Sequence, residues 1–302
     1  MGPTASGKTA LACSLVDRFP LDIISVDSAL VYCGLDIGSA KPDAQTLQKY
    51  PHRLIDIREP SQPYSAAEFR DDALLEMSSI TASNRVPLLV GGTGLYFRAL
   101  HAGLSEMPQA DPELREQLSE EGAAIGWAAM HARLAKLDRS AAQRIGQADA
   151  QRIQRALEVI EITGKPISEL QSGLPKPFGY RVLKLALIPS ERSVLHTRIA
   201  ERFDMMLAQD FVGEVERLRA RGDLTADLPA MRAVGYRQAW QHLDGEFDIT
   251  ELRNRGIFAT RQLAKRQITW LRSELDARVI DPDMDGYIDV AHGAISDFLH
   301  TF

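Results

Sequence analysis

The sequence predicts an α/β fold in which helices flank a parallel sheet and an all-helical insertion interrupts the core. A glycine-rich pattern, GPTASGKT, stands at residues 2–9. Short apolar runs alternate with helical periodicity through residues 7–94, which is typical of a parallel sheet covered on both faces. From Asp111 to about Leu170 the periodicity stays helical, and no strand pattern interrupts it.

Residues 2–9 match the phosphate-loop pattern G-x-x-x-x-G-K-[ST] in full. The glycines let backbone N–H groups surround phosphate oxygens, Lys8 adds a positive charge, and Thr9 offers a hydroxyl to Mg²⁺. A helix predicted over 7–19 points the positive end of its dipole at the same anion. We therefore expect a P-loop NTPase-like core whose phosphate site consists of Gly2, Pro3, Thr4, Ala5, Ser6, Gly7, Lys8 and Thr9. Such a loop normally follows a buried strand, and only Met1 precedes it here.

The first part of the core is predicted to hold three strands and a capped helix. Short apolar strands are predicted over 21–26, which ends at Asp27, and over 52–57. A capping box at 65–68 begins a helix whose apolar positions recur at helical spacing: Phe69, Ala73, Met77 and Ile80. A continuous apolar strand over 86–90 then ends at Gly91-Gly92-Thr93-Gly94.

The helical insertion is predicted to span 113–178, between a first core part at 1–112 and a second at 179–302. Two helix faces stand out in it, formed by Trp127, Met130, Leu134 and Leu137 and by Ile153, Leu157 and Ile160. The segment 173–179, with its prolines and glycines, is interpreted as a linker back to the sheet.

The second part of the core is predicted to return to the sheet and then to end in long helices. A strand is expected over 181–188. A long helix follows and ends near Gly222, with Ile199, Phe203, Met206 and Leu207 on its inner face. A last long helix is expected from about Thr250 to Leu275.

Composition argues against a membrane-spanning protein, a disulfide-rich protein and a zinc protein. The 302 residues carry a formal net charge of −6, and 45% of them are hydrophobic, as in ordinary globular proteins. No apolar run approaches the ~18 residues needed to cross a membrane, so we expect no membrane partner. The low cysteine content favours a reducing cytoplasm, and a monomer is our default expectation. Cys13 and Cys33 cannot form a disulfide framework, and the seven histidines show no zinc-binding pattern.

Polar residues at two predicted strand ends are candidates for chemistry. Ligands of open α/β sheets bind at the carboxyl ends of the strands, so Asp27 and Thr93 should both face the ligand. Asp27 could hold Mg²⁺ or accept a proton from a nucleophile, or it could simply cap the next turn. The Gly91-Gly92-Thr93 segment could contact substrate or form a tight turn with a solvated threonine. The residues alone leave these alternatives open.

The last third of the chain contains a basic concentration. Eight positive charges lie between residues 232 and 272, against four negative ones: Arg232, Arg237, Arg253, Arg255, Arg261, Lys265, Arg266 and Arg272. On a helix, Arg261, Lys265 and Arg272 lie within a narrow stripe, which suits a phosphodiester backbone. A solvated basic face is the alternative interpretation.

Longer segments along nearly the whole chain carry a family resemblance. They are GPTASGKT (2–9), ISVDSALVY (24–32), DIGSAKP (36–42), PHRLIDI (51–57), YSAAEFR (64–70), LLVGGTGLYF (88–97), LPAMRAVGYRQ (228–238) and RQLAKRQITWLR (261–272). On these segments the sequence resembles the tRNA dimethylallyltransferases, also called tRNA isopentenyltransferases. The set is highly specific, whereas the phosphate loop alone is not.

The resemblance implies a prenyl transfer to tRNA. A dimethylallyl group would pass from dimethylallyl diphosphate to N6 of adenosine 37, just 3′ of the anticodon, in tRNAs that read codons beginning with U. The phosphate loop would then hold the diphosphate of this substrate rather than ATP, with Mg²⁺ as cofactor on Thr9. The partner would be the tRNA anticodon stem-loop, clamped by the helical insertion.

The resemblance also implies roles for individual residues. Asp27 matches the family's proposed general base, Thr93 matches a residue near the reacting centre, and Lys8 would stabilise the leaving diphosphate. The positions that match tRNA contacts are Asp27, Ser28, Ala29, Leu30, Thr93, Arg115, Arg152, Arg155, Arg232, Gly235, Tyr236, Arg237, Lys265, Arg266 and Arg272.

The chain departs from its relatives at two places. Many relatives carry His-Pro-Asn-Asp where this chain has Gly146-Gln147-Ala148-Asp149, which puts the local turn in question. Relatives also have a short apolar segment ahead of the loop that ends in a methionine equivalent to Met1. Our hypothesis is that Met1 is this internal methionine, and translation of the upstream in-frame DNA tests it.

Three other functions remain as alternatives at this point. They are a P-loop nucleotide kinase, a prenyltransferase that acts on free adenine nucleotides, and a non-catalytic tRNA-binding protein. The basic segments near the end of the chain disfavour the kinase, and a free-nucleotide enzyme would need neither the insertion nor the basic helix.

Overall fold

The structure, a computed structural model, describes residues 1–103, 105, 107–171 and 178–300. The chain divides into two compact units, one of residues 1–100 with 179–302 and one of residues 101–178. The first unit contains strands and helices, and the described residues of the second contain helices joined by short loops and no strand. None of the helices in the described ranges combines the length and apolar character that a membrane span needs.

Parallel strands form the centre of the first unit. They are β1 (Leu21–Val26), β2 (His52–Arg53), β3 (Val86–Gly91), β4 (Leu185–Leu187) and β5 (Arg278–Ile280). β1 pairs with β2 on one side and β3 on the other, and β4 pairs with β5, all in parallel. The carboxyl ends of β1 and β3 therefore lie at the same sheet edge, because Val26 pairs with Gly91.

Met1 and Gly2 bridge the two strand groups. The main-chain nitrogen of Met1 donates a hydrogen bond to the Leu185 carbonyl at 2.7 Å, and the Leu187 N–H donates to the Met1 carbonyl at 2.8 Å. The Gly2 N–H donates to the Gly91 carbonyl at 3.3 Å. These bonds give Met1 and Gly2 the pairing of a strand between β3 and β4, where a strand ahead of the phosphate loop was expected.

The helices are, in chain order, α1 (Lys8–Arg18), α2 (Ala44–Lys49), α3 (Ala66–Ala82), α4 (Gly94–Ala102), α5 (Pro112–Ile125), α6 (Trp127–Leu137), α7 (Arg139–Arg144), α8 (Ala150–Thr163), α9 (Ile167–Leu170), α10 (Arg192–Ala208), α11 (Phe211–Ala220), α12 (Tyr236–Leu243), α13 (Ile249–Leu271) and α14 (Tyr287–His300). The predicted capping box of α3 is present, and its predicted inner positions Phe69, Ala73, Met77 and Ile80 are the buried ones. α13 packs closely on α10, because a Cβ at Gly256 would lie 2.0 Å from the Phe203 ring.

The helical unit has a core of its own. It is formed by Leu118, Met130, Leu134, Ala141, Ala142, Ile153, Ala156, Leu157, Val159 and Ile167. Asp149 caps α8, since its carboxylate accepts a hydrogen bond from the Arg152 N–H at 3.2 Å. The departure at residues 146–148 therefore leaves the helix start intact. Leu137, predicted on the inner face of its helix, is instead 45% exposed.

Two strands are shorter than predicted, for identifiable reasons. The strand predicted over 52–57 ends at Arg53, because Leu54 and Asp56 adopt left-handed backbone conformations with φ of 63° and 55°. The strand predicted over 181–188 is limited to Leu185–Leu187, which match the three residues of β5 one to one.

The helical pattern of the second core part also required correction. The long helix predicted to end near Gly222 is two helices, α10 and α11, separated where Asp210 has φ of 70°. β5 and α14 were not predicted at all. The linker predicted at 173–179 falls largely on residues 172–177, which lie outside the described part of the chain.

Candidate active site

The phosphate loop leads directly into the first turn of α1. Gly7 precedes the helix with φ of 82°, a conformation that a side chain would strain. No side chain caps this helix, so its first N–H groups can serve an anion. Ser6 is 1% exposed, and its hydroxyl has no hydrogen-bond partner among the described residues. Lys8 Nζ lies across the loop and donates to the Pro3 carbonyl at 2.6 Å. This arrangement fits a phosphate cradle.

Lys8 shares its surroundings with two other charged residues. Burial lowers the pKa of Lys8 from 10.5 to about 8, while nearby Asp27 raises this pKa and nearby Arg202 lowers it by smaller amounts. Burial also lowers the pKa of Arg202, and the charge of Asp27 partly offsets this. A carboxylate and two cations therefore meet at the phosphate loop.

Asp27 and Thr93 lie side by side at the carboxyl edge of the sheet. The Asp27 Oδ1 atom accepts hydrogen bonds from the N–H groups of Ala29 at 2.8 Å and Leu30 at 3.4 Å. Thr93 Oγ1 accepts from the Ser28 N–H at 3.2 Å. Asp27 therefore does cap the turn, but with one oxygen only, because Oδ2 accepts no hydrogen bond from the described residues.

Gln267, in the last third of α13, joins the phosphate loop to the Gly-Gly-Thr turn. Its Oε1 atom accepts from the Thr4 N–H at 2.8 Å, and its Nε2 atom donates to the Gly92 carbonyl at 3.1 Å. A side chain at position 92 would collide with this amide, since a Cβ there would lie 2.3 Å from Nε2. One amide thus fixes the spacing between the two loops that face the ligand.

The sequence did not predict that Arg202 and Gln267 lie at the phosphate loop. Arg202 lies next to the buried Phe203 on a helix recognised only by its apolar residues. Gln267 stands between the buried Ala264 and Leu271, three residues after one and four before the other. A polar amide on a buried helix stripe is a signal that could have identified it.

The predicted tRNA-contacting cations of the first unit lie on its surface. Arg232, Arg237, Lys265, Arg266 and Arg272 are all exposed. Within the described ranges, none of them forms an ion pair. They are therefore free to bind an anionic partner.

Two of the three predicted contact residues in the helical unit have an internal partner instead. Arg115 Nε and Arg155 Nη1 donate to the two oxygens of the fully buried Glu158, at 2.9 and 2.6 Å. Burial alone would raise the pKa of Glu158, but hydrogen bonds from Arg155, Arg115 and the Asp111 N–H lower it overall. Arg152 differs, since its side chain is 71% exposed beside Asp149.

Tyr236 and Gly235 lie in the interior and support a loop. The Tyr236 side chain is 0% exposed, and its hydroxyl donates to Glu214 at 2.6 Å. The same carboxylate accepts N–H hydrogen bonds from Asp36 and Ile37, at 3.1 and 2.7 Å. The tyrosine can therefore act on a ligand only through the position of the loop that follows Leu35.

The residues present fit a divalent cation that is bound together with its phosphate ligand. Among the described residues, no group of three or more His, Cys, Asp or Glu side chains could hold a metal alone. Thr9 is exposed in the first turn of α1, next to the cradle. A cation that takes phosphate and water oxygens needs only a hydroxyl or a carboxylate from the protein.

The fold and this site define an α/β protein of the P-loop class whose phosphate loop is held by a basic helix. The family described as IPP transferase matches residues 30–274. Two curated relatives are the tRNA dimethylallyltransferases of Thiobacillus denitrificans, 59% identical over 93% of this chain and 90% of the relative, and of Stenotrophomonas maltophilia, 59% identical over 99% and 96%. The chain belongs to the IPP transferase family, and it is a prenyl-transferring enzyme. The predicted family is thereby confirmed.

Solved structures share the fold. A tRNA isopentenylpyrophosphate transferase from Bacillus halodurans is 35% identical with a TM-score of 0.73, covering 99% of this chain and 95% of that one. A eukaryotic dimethylallyltransferase, described as acting on tRNA, has a TM-score of 0.82 at 23% identity, covering 99% of this chain and 78% of that one. The predicted P-loop-like parallel sheet with flanking helices is confirmed.

Proposed function

We propose that this chain transfers the dimethylallyl group of dimethylallyl diphosphate to N6 of adenosine 37 in tRNAs that read codons beginning with U. The observation that carries the proposal is the meeting of the phosphate loop, Asp27 and Thr93 at one sheet edge in a member of the IPP transferase family. A phosphate cradle beside an unsatisfied carboxylate oxygen suits a reaction that expels diphosphate and removes a proton.

Departure of the diphosphate is the first half of the reaction. The allylic C–O bond breaks, and the diphosphate departs with the electron pair while positive charge develops on carbon. Lys8, Arg202 and the first N–H groups of α1 are the positive groups of the site, which supports their role in stabilising the diphosphate. Loss of one such contact typically costs ~10²–10³ in rate.

Attack by the acceptor nitrogen is the second half of the reaction. The N6 nitrogen of the adenine attacks the allylic carbon, and Asp27 Oδ2 accepts a proton from N6. Its Oδ1 atom is already held by the Ala29 N–H, so the carboxylate is oriented before the substrate arrives. Thr93 Oγ1 accepts from the Ser28 N–H, which leaves its own O–H free to donate to the substrate.

We propose Mg²⁺ as the cofactor, held by the Thr9 hydroxyl together with the diphosphate. Bound there, it would neutralise charge on the leaving group. The exposed position of Thr9 at the start of α1 supports this assignment.

We propose that the tRNA anticodon stem-loop binds the exposed cations at Arg232, Arg237, Lys265, Arg266 and Arg272, together with Arg152 of the helical unit. Arg115 would contribute by holding α5 against α8 through Glu158, and Arg155 by pairing with the same carboxylate from within α8. The unit boundaries 1–112, 113–178 and 179–302 stay a prediction. A cytoplasmic monomer is likewise our proposal, since tRNA is a cytoplasmic substrate.

One incubation separates the candidate functions. The protein is mixed with radiolabelled dimethylallyl diphosphate and Mg²⁺, and either unmodified tRNA or AMP is added as acceptor. We expect label in tRNA and none in AMP. Label in AMP would identify a free-nucleotide prenyltransferase. In parallel samples with labelled ATP, phosphate transfer without prenyl transfer would identify a kinase. tRNA binding in a separate binding assay, without any transfer, would identify a non-catalytic protein.

A further inference from the structure

Phe258 is an aromatic side chain that the fold leaves in solvent. It lies in the middle of α13 and is 64% exposed, whereas Phe69, Phe203 and Phe211 in the same unit are at most 3% exposed. Its neighbour Ile257 points to the core with 6% exposure. A single exposed apolar residue is ordinary by itself, so what surrounds this ring decides its meaning.

The surroundings of Phe258 are strongly basic. The ring lines a groove of about 1070 Å³ that also contains six arginines: Arg232, Arg237, Arg253, Arg255, Arg261 and Arg266. Glu251 is the one acidic residue of this lining within the described chain. The groove therefore carries a large positive excess in a protein whose formal net charge is −6.

Most of these arginines keep their charge available. Arg253 pairs with Asp204, and Arg255 pairs with Glu251. The other four arginines form no ion pair within the described residues. Arg261 also has a buried Nε atom without a hydrogen-bond partner there. Unneutralised guanidinium groups at one groove favour a polyanion as occupant.

Helix geometry aligns the ring with the basic stripe. Arg261 follows Phe258 by three residues and Lys265 follows it by seven, and both spacings return to the same helix face. A strand of nucleic acid that runs along this face would meet the Phe258 ring and then two cations, Arg261 and Lys265. Proteins hold unpaired nucleotides in this way, with the backbone on cations and a base on an aromatic face.

We infer that Phe258 is a stacking platform for an unpaired base of the bound tRNA, with its flanking arginines on the neighbouring phosphates. The inference rests on the proposed tRNA substrate and adds a base-contacting residue to that surface. A second copy of this chain is the competing occupant, and the experiment distinguishes it.

The test measures the affinity of the full-length protein for an anticodon stem-loop RNA. F258A should weaken binding about 5- to 100-fold, the range found for loss of one base–aromatic contact. F258Y keeps the ring and should bind within about twofold of the parent chain. L75A is the matched control, since Leu75 is 69% exposed on α3 away from the groove, and it should change nothing.

The salt dependence separates stacking from charge. F258A removes no charge, so the slope of log K against log salt should stay the same, whereas R261A should reduce it by about 1. Unchanged affinity in F258A, or affinity lost equally in F258Y, would overturn the platform. A changed sedimentation state without a changed RNA affinity would assign the ring to self-association instead. Prenyl transfer by the parent chain, measured in parallel, shows whether the proposed function itself holds.

Discussion

Asp27 uses its two carboxylate oxygens for different purposes. Oδ1 holds the turn by accepting from the Ala29 N–H, and Oδ2 accepts no hydrogen bond from the described residues. The two interpretations that the sequence left open, a turn cap and a proton acceptor, are therefore compatible in one side chain.

Asp27→Asn separates these purposes. The amide oxygen can still accept from the Ala29 N–H, but the side chain can no longer take a proton, so we expect kcat to fall by ~10²–10⁴ with tRNA affinity nearly unchanged. Asp43→Asn is the matched control, because Asp43 only caps α2, at 2.7 Å from the Thr46 N–H. A variant that loses tRNA binding but keeps kcat would refute the base assignment.

The lowered pKa of Lys8 leads us to expect that diphosphate affinity depends on pH. With its pKa lowered to about 8 by burial, Lys8 loses its charge as pH rises from 7 to 9, and an anion then binds less tightly. Calorimetric titration with inorganic diphosphate should show the dissociation constant rising over this range. Lys8→Arg keeps its charge throughout and provides the reference curve. Parallel curves for the two proteins would contradict the prediction.

The sequence predicted where the residues at the strand ends lie, but it did not predict the residues that reach the site from helices. The strand-end rule placed Asp27 beside Thr93 correctly, because both follow strands that pair in parallel. Arg202 and Gln267 could not be placed, because each enters the site from a helix more than a hundred residues away in the chain. Pairwise contacts at such separation depend on how helices pack, which local patterns do not encode.

Among the secondary-structure elements, α13 connects the core, the phosphate loop and the basic surface. It packs on α10 through Gly256, holds the phosphate loop through Gln267, and carries exposed cations on its outer face. Its predicted span was nearly right because apolar periodicity runs along its whole length. The α10–α11 break was missed, because the left-handed Asp210 interrupts the helix without a proline or glycine at that residue.

Gln267→Leu tests the link between α13 and the site. Leucine fills the same space but neither accepts from the Thr4 N–H nor donates to the Gly92 carbonyl, so the two loops lose their common support. A displacement of ~1 Å costs about 10²-fold in rate, and we expect kcat to fall by this much while the dissociation constant for tRNA stays the same. Gln48→Leu, at an exposed position on α2, should behave as wild type. If the Gln267 variant turned over within twofold of wild type, the positioning role of Gln267 would be contradicted.

At the level of the whole chain, the helical unit is a small domain with a buried ion-pair centre. Glu158 of α8 is fully buried, and it pairs with Arg115 of α5 and with Arg155 of its own helix. The sequence predicted the unit's all-helical character from periodicity. It could not show that two cations matched to tRNA contacts pair with a buried carboxylate, because charge patterns do not reveal a buried partner.

Arg155→Ala and Arg152→Ala should therefore fail in different ways. Arg155→Ala leaves a buried carboxylate short of a donor, which we expect to lower the free energy of unfolding by about 1–3 kcal/mol. Arg152→Ala removes an exposed cation, so stability should hold while tRNA affinity falls. Urea unfolding and RNA binding of both variants measure the contrast. Equal stability of the two variants would contradict the structural role of Arg155.

We propose that this chain prenylates one adenosine of a tRNA from a diphosphate bound at residues 2–9. The most direct measurement uses two tRNA transcripts that differ only in carrying adenosine or guanosine at position 37. With labelled dimethylallyl diphosphate and Mg²⁺, we expect label in the adenosine transcript alone, and none when Lys8 is replaced by alanine. Equal label in both transcripts, or undiminished label with the Lys8 variant, would contradict it.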